Sequence, residues 1–140
     1  MRTQSYLSFM AAVGILTIAA VSPVRAHHAF SSEFDTDKPV ILEGPVSKLE
    51  WVNPHAWIHI DVKGPDGKVE TWMIETGSPN VLLRRGFNKS MVEIGTVVRV
   101  KGYAAKGGTR KANGGEMTLP DGRTLLIGST GTGAPEEKKK

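Results

Sequence analysis

Hydrophobic and polar residues alternate along much of the chain between residues 39 and 128, a pattern typical of half-buried β-strands. The alternation is clearest in AWIHIDVK, residues 56–63, where every second side chain is aliphatic. PDGK follows shortly after and predicts a hairpin turn. Besides this second strand, the pattern predicts strands at residues 40–51, 69–76 and 96–103, a glycine- and lysine-rich loop at 104–115, and a hairpin at 116–128.

The first predicted strand changes phase along its length. Val40, Leu42 and Val46 share one parity, whereas Leu49 and Trp51 share the other. Such a change indicates a bulge or bend, and Gly44-Pro45 offers a place for it. A long bent first strand can serve both halves of a small barrel.

A short helix is predicted directly after the third strand. Ser78 is suited to the N-cap, Pro79 to the first helical position, and Gly86 to the residue after the last turn. Three strands, one short helix and two or three more strands is the order of an OB-like barrel. We therefore predict a mainly β protein, a small OB-like antiparallel barrel with the helix between strands 3 and 4. An open β-sandwich is the alternative.

The beginning of the chain is typical of a secretory signal peptide. Arg2 precedes an apolar run from Leu7 to Val21, and Val24-Arg25-Ala26 resembles a cleavage site. The sequence thus divides into a signal peptide (1–26), a polar leader (27–38), an OB-like domain (39–128) and a disordered tail (129–140). We expect a periplasmic or secreted protein without stable membrane insertion after cleavage.

Composition narrows the classes of function. The chain has 140 residues, no cysteine and a net charge of +4, to which Arg2 and Arg25 of the signal contribute. This modest charge and the predicted export disfavour a nucleic-acid partner. Nucleophile-elbow, P-loop and HExxH motifs are missing from the sequence, so a binding or accessory role is favoured over an enzymatic one.

Four segments carry a resemblance to a known family: HHAFSSEFD, EWVNPHAWIHIDV, GSPNVLLRRGF and LPDGR. In these segments the chain resembles a domain-of-unknown-function family of small exported bacterial proteins. The resemblance extends from His27 to about Gly128. It implies export and a shared compact domain, and it assigns no catalytic residue.

The paired histidines His27 and His28 suggest a metal site. After cleavage behind Ala26, His27 offers both its α-amine and its ring Nδ1, and one further imidazole gives a three-nitrogen set suited to copper(II). This resembles the histidine brace of exported copper proteins. The further imidazole is expected from His28 or His55, and zinc is the alternative ion. His55 and His59 would lie about 13 Å apart if both were in a strand, so one ion cannot easily join them.

A second candidate site is an aromatic face. Trp57, His55 and Trp72 are predicted ligand-binding residues, because OB-like barrels often bind ligands on strands 2 and 3. Arg85 is added to them as a member of a basic rim. The primary hypothesis is an exported binding or accessory protein with an unknown small ligand or envelope-protein partner at this face. Copper or zinc binding is one alternative, and a structural role in an envelope complex is another.

Overall fold

The computed structural model describes residues 30–129, so the predicted signal peptide, His27, His28 and nearly all of the predicted tail lie outside it. A helical turn at residues 30–33 leads directly into the first strand. The elements that follow are β1 (Phe34–Glu50), β2 (Trp57–Lys63), β3 (Val69–Glu75), α1 (Pro79–Arg84), a 3-10 helix (Lys89–Val92), β4 (Val97–Ala105), β5 (Lys111–Thr118) and β6 (Thr124–Leu126).

Five of the strands form a closed ring of hydrogen bonds. The sheet order is β3-β2-β1-β4-β5-β6, and an additional parallel pairing joins β3 to β5. The other pairings are antiparallel, and β1 takes part in two of them, with β2 and with β4. The mainly β, barrel-like prediction with a short helix between the third and fourth strands is therefore confirmed.

Two glycines allow strands to cross closely. A Cβ atom on Gly44 would lie 2.0 Å from the backbone oxygen of Asp61, and one on Gly102 would lie 2.0 Å from that of Asn113. The register of β1 against β2 shifts between Val46 and Lys48. The predicted phase change thus exists, and the irregularity lies just beyond Gly44-Pro45.

The strand boundaries differ from the prediction at two places. β1 begins at Phe34 and not at residue 40, because Phe34 pairs with Ala105 and is buried. The predicted loop at 104–115 is wrong at residues 104–105, which end β4, and over residues 111–115, which belong to β5. The glycines in this segment led to the prediction of a loop. Gly114 is nevertheless required in the strand, because a Cβ atom there would lie 2.7 Å from the side chain of Ile74.

The main core fills the interior of the ring. It is lined by aliphatic residues from every long strand and closed by Leu82 of α1 and by Phe87, each fully buried. Trp51 stacks on Phe87 with ring centroids 6.0 Å apart. A second, smaller cluster consists of Phe30, Phe34 and Ala105, with Tyr103 against it. This cluster lies on the outer face of the sheet and fixes the start of the described chain there.

Candidate functional site

His55 lies in the connection between β1 and β2, and its ring is held by two oxygens. Its Nδ1 atom is 3.0 Å from the backbone oxygen of Thr76 and 3.1 Å from Oγ of Ser129. A carbonyl oxygen can only accept, so Nδ1 carries the proton that it donates to Thr76. In the neutral ring the lone pair is then on Nε2. The side chain of His55 is 33% exposed, so the ring is only partly covered.

Backbone bonds fix the segment that carries His55 to the end of β3. Thr76 donates from its backbone nitrogen and its Oγ1 to the oxygen of Ala56, over 3.0 and 2.9 Å. Ala56 in turn donates to the oxygen of Gly77 over 3.1 Å. Ala56 and Thr76 are fully buried. The acceptor that orients the imidazole is therefore part of the rigid interior.

Arg85 contacts the chain segment directly before Ser129. It is the C-cap of α1 and donates from Nη1 to the oxygen of Gly128 over 2.5 Å and to that of Leu126 over 3.4 Å. Gly128 directly precedes Ser129, which contacts His55. Arg85 was predicted to bind a ligand. The structure places it where it positions the Ser129 segment by holding two backbone carbonyls.

Glu75 is a buried carboxylate beside His55. Its Oε1 atom is 3.8 Å from Nδ1 of His55, and the residue is 8% exposed. Burial raises the pKa of Glu75 above its ordinary value, while the charges of His55 and Lys111 and a hydrogen bond from Asn113 act in the opposite direction. Glu75 pairs with Trp57 on β2 and with Asn113 on β5, so these three residues form one row across the outer face.

One ammonium group joins this row to the beginning of the described chain. Nζ of Lys111 lies 4.7 Å from the ring centre of Trp57 and makes a short ion pair with Glu33. The backbone oxygen of Glu33 also accepts from the nitrogen of Lys106 over 2.9 Å. The helical turn that contains Glu33 is thereby docked beside the Trp57–Glu75 row.

The three tryptophans do not form one open aromatic face. Trp72 pairs with the buried Ile60, packs against the core and has the guanidinium of Arg110 at 5.7 Å from its ring. Trp57 is on the opposite face of the sheet, under Lys111. The structure thus places both His55 and Trp57 next to Glu75. It places Trp72 on the opposite face and Arg85 against the carbonyls of Leu126 and Gly128.

His59 is engaged in a separate contact. Its Nε2 atom is 3.0 Å from Oε2 of Glu50, and its side chain is 12% exposed. The hydrogen bonds from Lys48 and His59 lower the pKa of Glu50. His55 precedes β2, so the straight-strand distance between the two histidines does not apply, and His59 points to a different partner.

Within residues 30–129, no three His, Asp or Glu side chains come together in a way that could hold a metal ion. His27 and His28 lie outside that range.

A shallow cavity of about 330 Å³ is lined by Glu43, Val97, Arg99, Thr118, Leu119 and Pro120. Its lining includes neither His55 nor a member of the Trp57–Glu75–Asn113 row, and its one acidic and one basic side chain lie on adjacent strands.

Sequence reasoning missed Glu75 and Lys111 as members of the site. The hairpin at PDGK could have located Glu75, because the register that pairs Lys63 with Val69 also pairs Trp57 with Glu75. No comparable signal was available for Lys111, which lies in the predicted loop. The parallel pairing of β3 with β5 brings it opposite Met73.

Residues 15–114 match the model of a family described as a family of unknown function, DUF6152. The chain belongs to this family. Neither the search of curated proteins nor the search of solved structures finds a match. In the part of the chain from Phe30 to Ser129, no helix has the length and apolar character needed to cross a membrane.

Proposed function

We propose that the protein is exported to the periplasm and acts there as a binding or accessory protein for a transition-metal ion. The ligand that carries this proposal is Nε2 of His55. Metal-bound histidines nearly always donate their other ring N–H to a carbonyl, carboxylate or water, which fixes the tautomer and the ring direction. His55 has that partner in the backbone oxygen of Thr76, at 3.0 Å.

This proposal is favoured over a sugar or other flat ligand on the tryptophans. Stacking requires an accessible ring face, and cations of the same chain already lie over the rings of Trp57 and Trp72, at 4.7 and 5.7 Å. The charged groups around His55 favour a cation over a neutral flat ligand. Glu75 places a carboxylate oxygen 3.8 Å from Nδ1 of His55, and the basic Lys111 is paired with Glu33.

Imidazole nitrogen suits zinc and copper among the available ions. Since a single imidazole does not hold such an ion, the proposal requires further ligands from outside residues 30–129. The sequence there contains two histidines, His27 and His28. An accessory or carrier role fits this arrangement, because Nδ1 of His55 donates to the backbone oxygen of Thr76 and so cannot act as a base towards the neighbouring Oγ of Ser129.

Calorimetric titration of the secreted chain with copper(II) and zinc(II) tests this function. The full chain is expressed with residues 1–26, purified from the periplasm and stripped of metal before titration. We expect one tightly bound ion per chain, and a loss of affinity of more than about 100-fold in His55→Ala, beyond the range for a residue that only supports a ligand.

His59→Ala is the matched control, because this histidine is committed to Glu50 and should leave the affinity unchanged. Circular dichroism and the melting temperature verify that both variants are folded. If the wild-type chain binds neither ion, or if His55→Ala binds as tightly as the wild type, His55 is not part of a metal site.

A further inference from the structure

We infer that the shallow cavity beside β1, β4 and β5 binds a small zwitterion, an α-amino acid with an apolar side chain. Arg99 holds the carboxylate of this ligand, Glu43 holds its ammonium group, and Val97 and Pro120 contact its side chain. His55 is not among the residues that line the cavity, so this proposal and the metal proposal stand or fall separately.

The cavity forms where the pairing of β4 with β5 ends. The last register pair at this end is Arg99 with Thr118, and beyond it the chain turns at Leu119 and Pro120 towards β6. Within the described register of these two strands, Val97 has no partner on β5. The opening is therefore bounded by β4 on one side and by the turn on the other. Its volume of about 330 Å³ suits a small molecule.

Two opposite charges line the cavity without a partner from the chain. Glu43 and Arg99 are register partners on β1 and β4, and directly opposite residues have Cβ atoms about 4.5–5.5 Å apart. In the described part of the chain, neither side chain makes a hydrogen bond or an ion pair. Lys101, the next charged residue on the same face of β4, is by contrast paired with Glu116 at 3.3 Å. The carboxylate and the guanidinium at the cavity are thus free to meet a ligand.

A molecule that carries both charges matches this arrangement. A guanidinium presents planar N–H donors that fit a carboxylate bidentately, and a carboxylate accepts hydrogen bonds from an ammonium group. In an α-amino acid the two charged groups are attached to one carbon, so side chains as close as those of Glu43 and Arg99 can reach both. A simple anion would be repelled by Glu43, and a metal ion would be repelled by Arg99. The pair therefore selects a zwitterion over either kind of ion.

The hydroxyl of Thr118 adds a third polar contact. Thr118 is the register partner of Arg99, and its Oγ1 is 3.1 Å from Oγ1 of Thr124, where either atom can donate. With Thr124 as the donor, the hydroxyl hydrogen of Thr118 is available to a ligand carboxylate next to Arg99. The carboxylate end of the ligand is thereby directed towards β5 and its ammonium end towards β1.

The rest of the lining is apolar and determines the class of ligand side chain. Val97 is 50% exposed, and Leu119 and Pro120 complete the apolar wall. Leu119 belongs to the main core, so this wall is held in place by the barrel. A ligand side chain that covers Val97 and Pro120 removes apolar surface from water, which favours an aliphatic side chain over a polar one.

The test titrates the isotopically labelled secreted chain with L-leucine and follows the backbone amide resonances by nuclear magnetic resonance. N-acetyl-L-leucine lacks the ammonium charge and L-leucine methyl ester lacks the carboxylate, so each analogue removes one of the two charges. We expect leucine to shift the amides of Val97, Arg99 and Thr118 with a Kd of about 1 mM or tighter. Each analogue should bind at least about 10-fold more weakly, the loss that corresponds to one charge-assisted hydrogen bond.

Glu43→Gln and Arg99→Gln should each weaken leucine binding about 10-fold for the same reason. Lys101→Gln is the matched control, because Lys101 lies on the same face of β4 and its charge is committed to Glu116. This variant should keep the wild-type affinity, and melting temperatures verify that all three variants are folded. Absence of leucine-dependent shifts at the cavity, equal binding of leucine and its two analogues, or an equal loss of affinity in Lys101→Gln would overturn the site.

Discussion

Nδ1 of His55 and the backbone oxygen of Thr76 lie 3.0 Å apart, and this contact determines what the site can do. The carbonyl accepts the proton of Nδ1, which directs the ring and leaves the lone pair of the neutral imidazole on Nε2. Thr76 is fully buried and is bonded to Ala56 on both its backbone and its side chain. The imidazole is therefore oriented before any ligand arrives.

Arg85→Ala should weaken copper binding although Arg85 contacts no proposed ligand. The substitution removes the donor to the oxygen of Gly128 and so releases Ser129, which supports the ring of His55. Loss of such a supporting group costs about 10-fold in metal affinity. Titration calorimetry measures the effect, and Arg84→Ala, an exposed neighbour on the same helix, is the control. Equal affinities of the two variants would show that Arg85 does not support the ring of His55.

Glu75 should make the metal-free protein less stable as the pH rises. Its pKa is raised in the folded state, so the folded protein binds this proton more tightly than the unfolded chain does. The contribution of Glu75 to the free energy of unfolding should therefore be most favourable at acid pH. It should fall as the pH increases from about the ordinary carboxyl value of 4.5 through the raised pKa.

Urea unfolding of wild type and Glu75→Gln at several pH values measures this dependence. The variant cannot ionise at this position and should show a shallower decline. Asp66→Asn, in the exposed hairpin turn, serves as the control. The same pH dependence of stability in the wild type and in Glu75→Gln across this interval would contradict the assignment.

Lys111→Met should release the helical turn at residues 30–33. The substitution keeps an apolar stem against Trp57 but removes the ion pair with Glu33. We expect faster amide hydrogen exchange in residues 31–36 and a change in tryptophan fluorescence. Lys101→Met breaks a comparable exposed ion pair, the one with Glu116 at 3.3 Å, and should leave that segment unchanged. Exchange rates that do not differ between the two variants would mean that Lys111 does not dock the turn.

Gly44→Ala should destabilise the fold because the new methyl group would meet the backbone oxygen of Asp61 at 2.0 Å. A backbone atom cannot rotate away as a side chain can, so the strands must separate. We expect a loss of about 1–3 kcal/mol in the free energy of unfolding. Gly107→Ala is the matched control, since no atom lies within 4 Å of its added Cβ. Both are measured by urea denaturation, and similar midpoints for the two variants would show that the crossing tolerates a side chain.

Local patterns were sufficient to predict most of the fold. The period-two alternation of Ile58 and Ile60 marks β2, and Ser78 with Pro79 marks the start of α1. The early start of β1 could not be seen, because Phe34 is buried by Phe30 and Ala105, which are distant from the barrel core. β5 was missed because Gly114 and Gly115 read as loop residues, whereas close packing against Ile74 is what Gly114 provides.

The site was predicted less completely than the fold. His55 and Trp57 were predicted because a histidine and a tryptophan beside a turn are recognisable as candidate binding residues. Lys111 reaches Trp57 only through the parallel pairing of β3 with β5, a long-range contact that no local pattern reveals. Arg85 was identified as a ligand residue from its charge alone. Its hydrogen bonds to the carbonyls of Leu126 and Gly128 depend on the position of residues 126–128, which are distant from Arg85 in the sequence.

A crystal structure of residues 27–140 with copper(II) bound, with the metal located by its anomalous scattering, would show directly whether His55 coordinates the ion. We expect one ion about 2 Å from Nε2 of His55. Nδ1 of His55 should still be bonded to the backbone oxygen of Thr76. A copper ion at any other position, or a His55 ring turned so that Nδ1 faces the metal, would contradict this expectation.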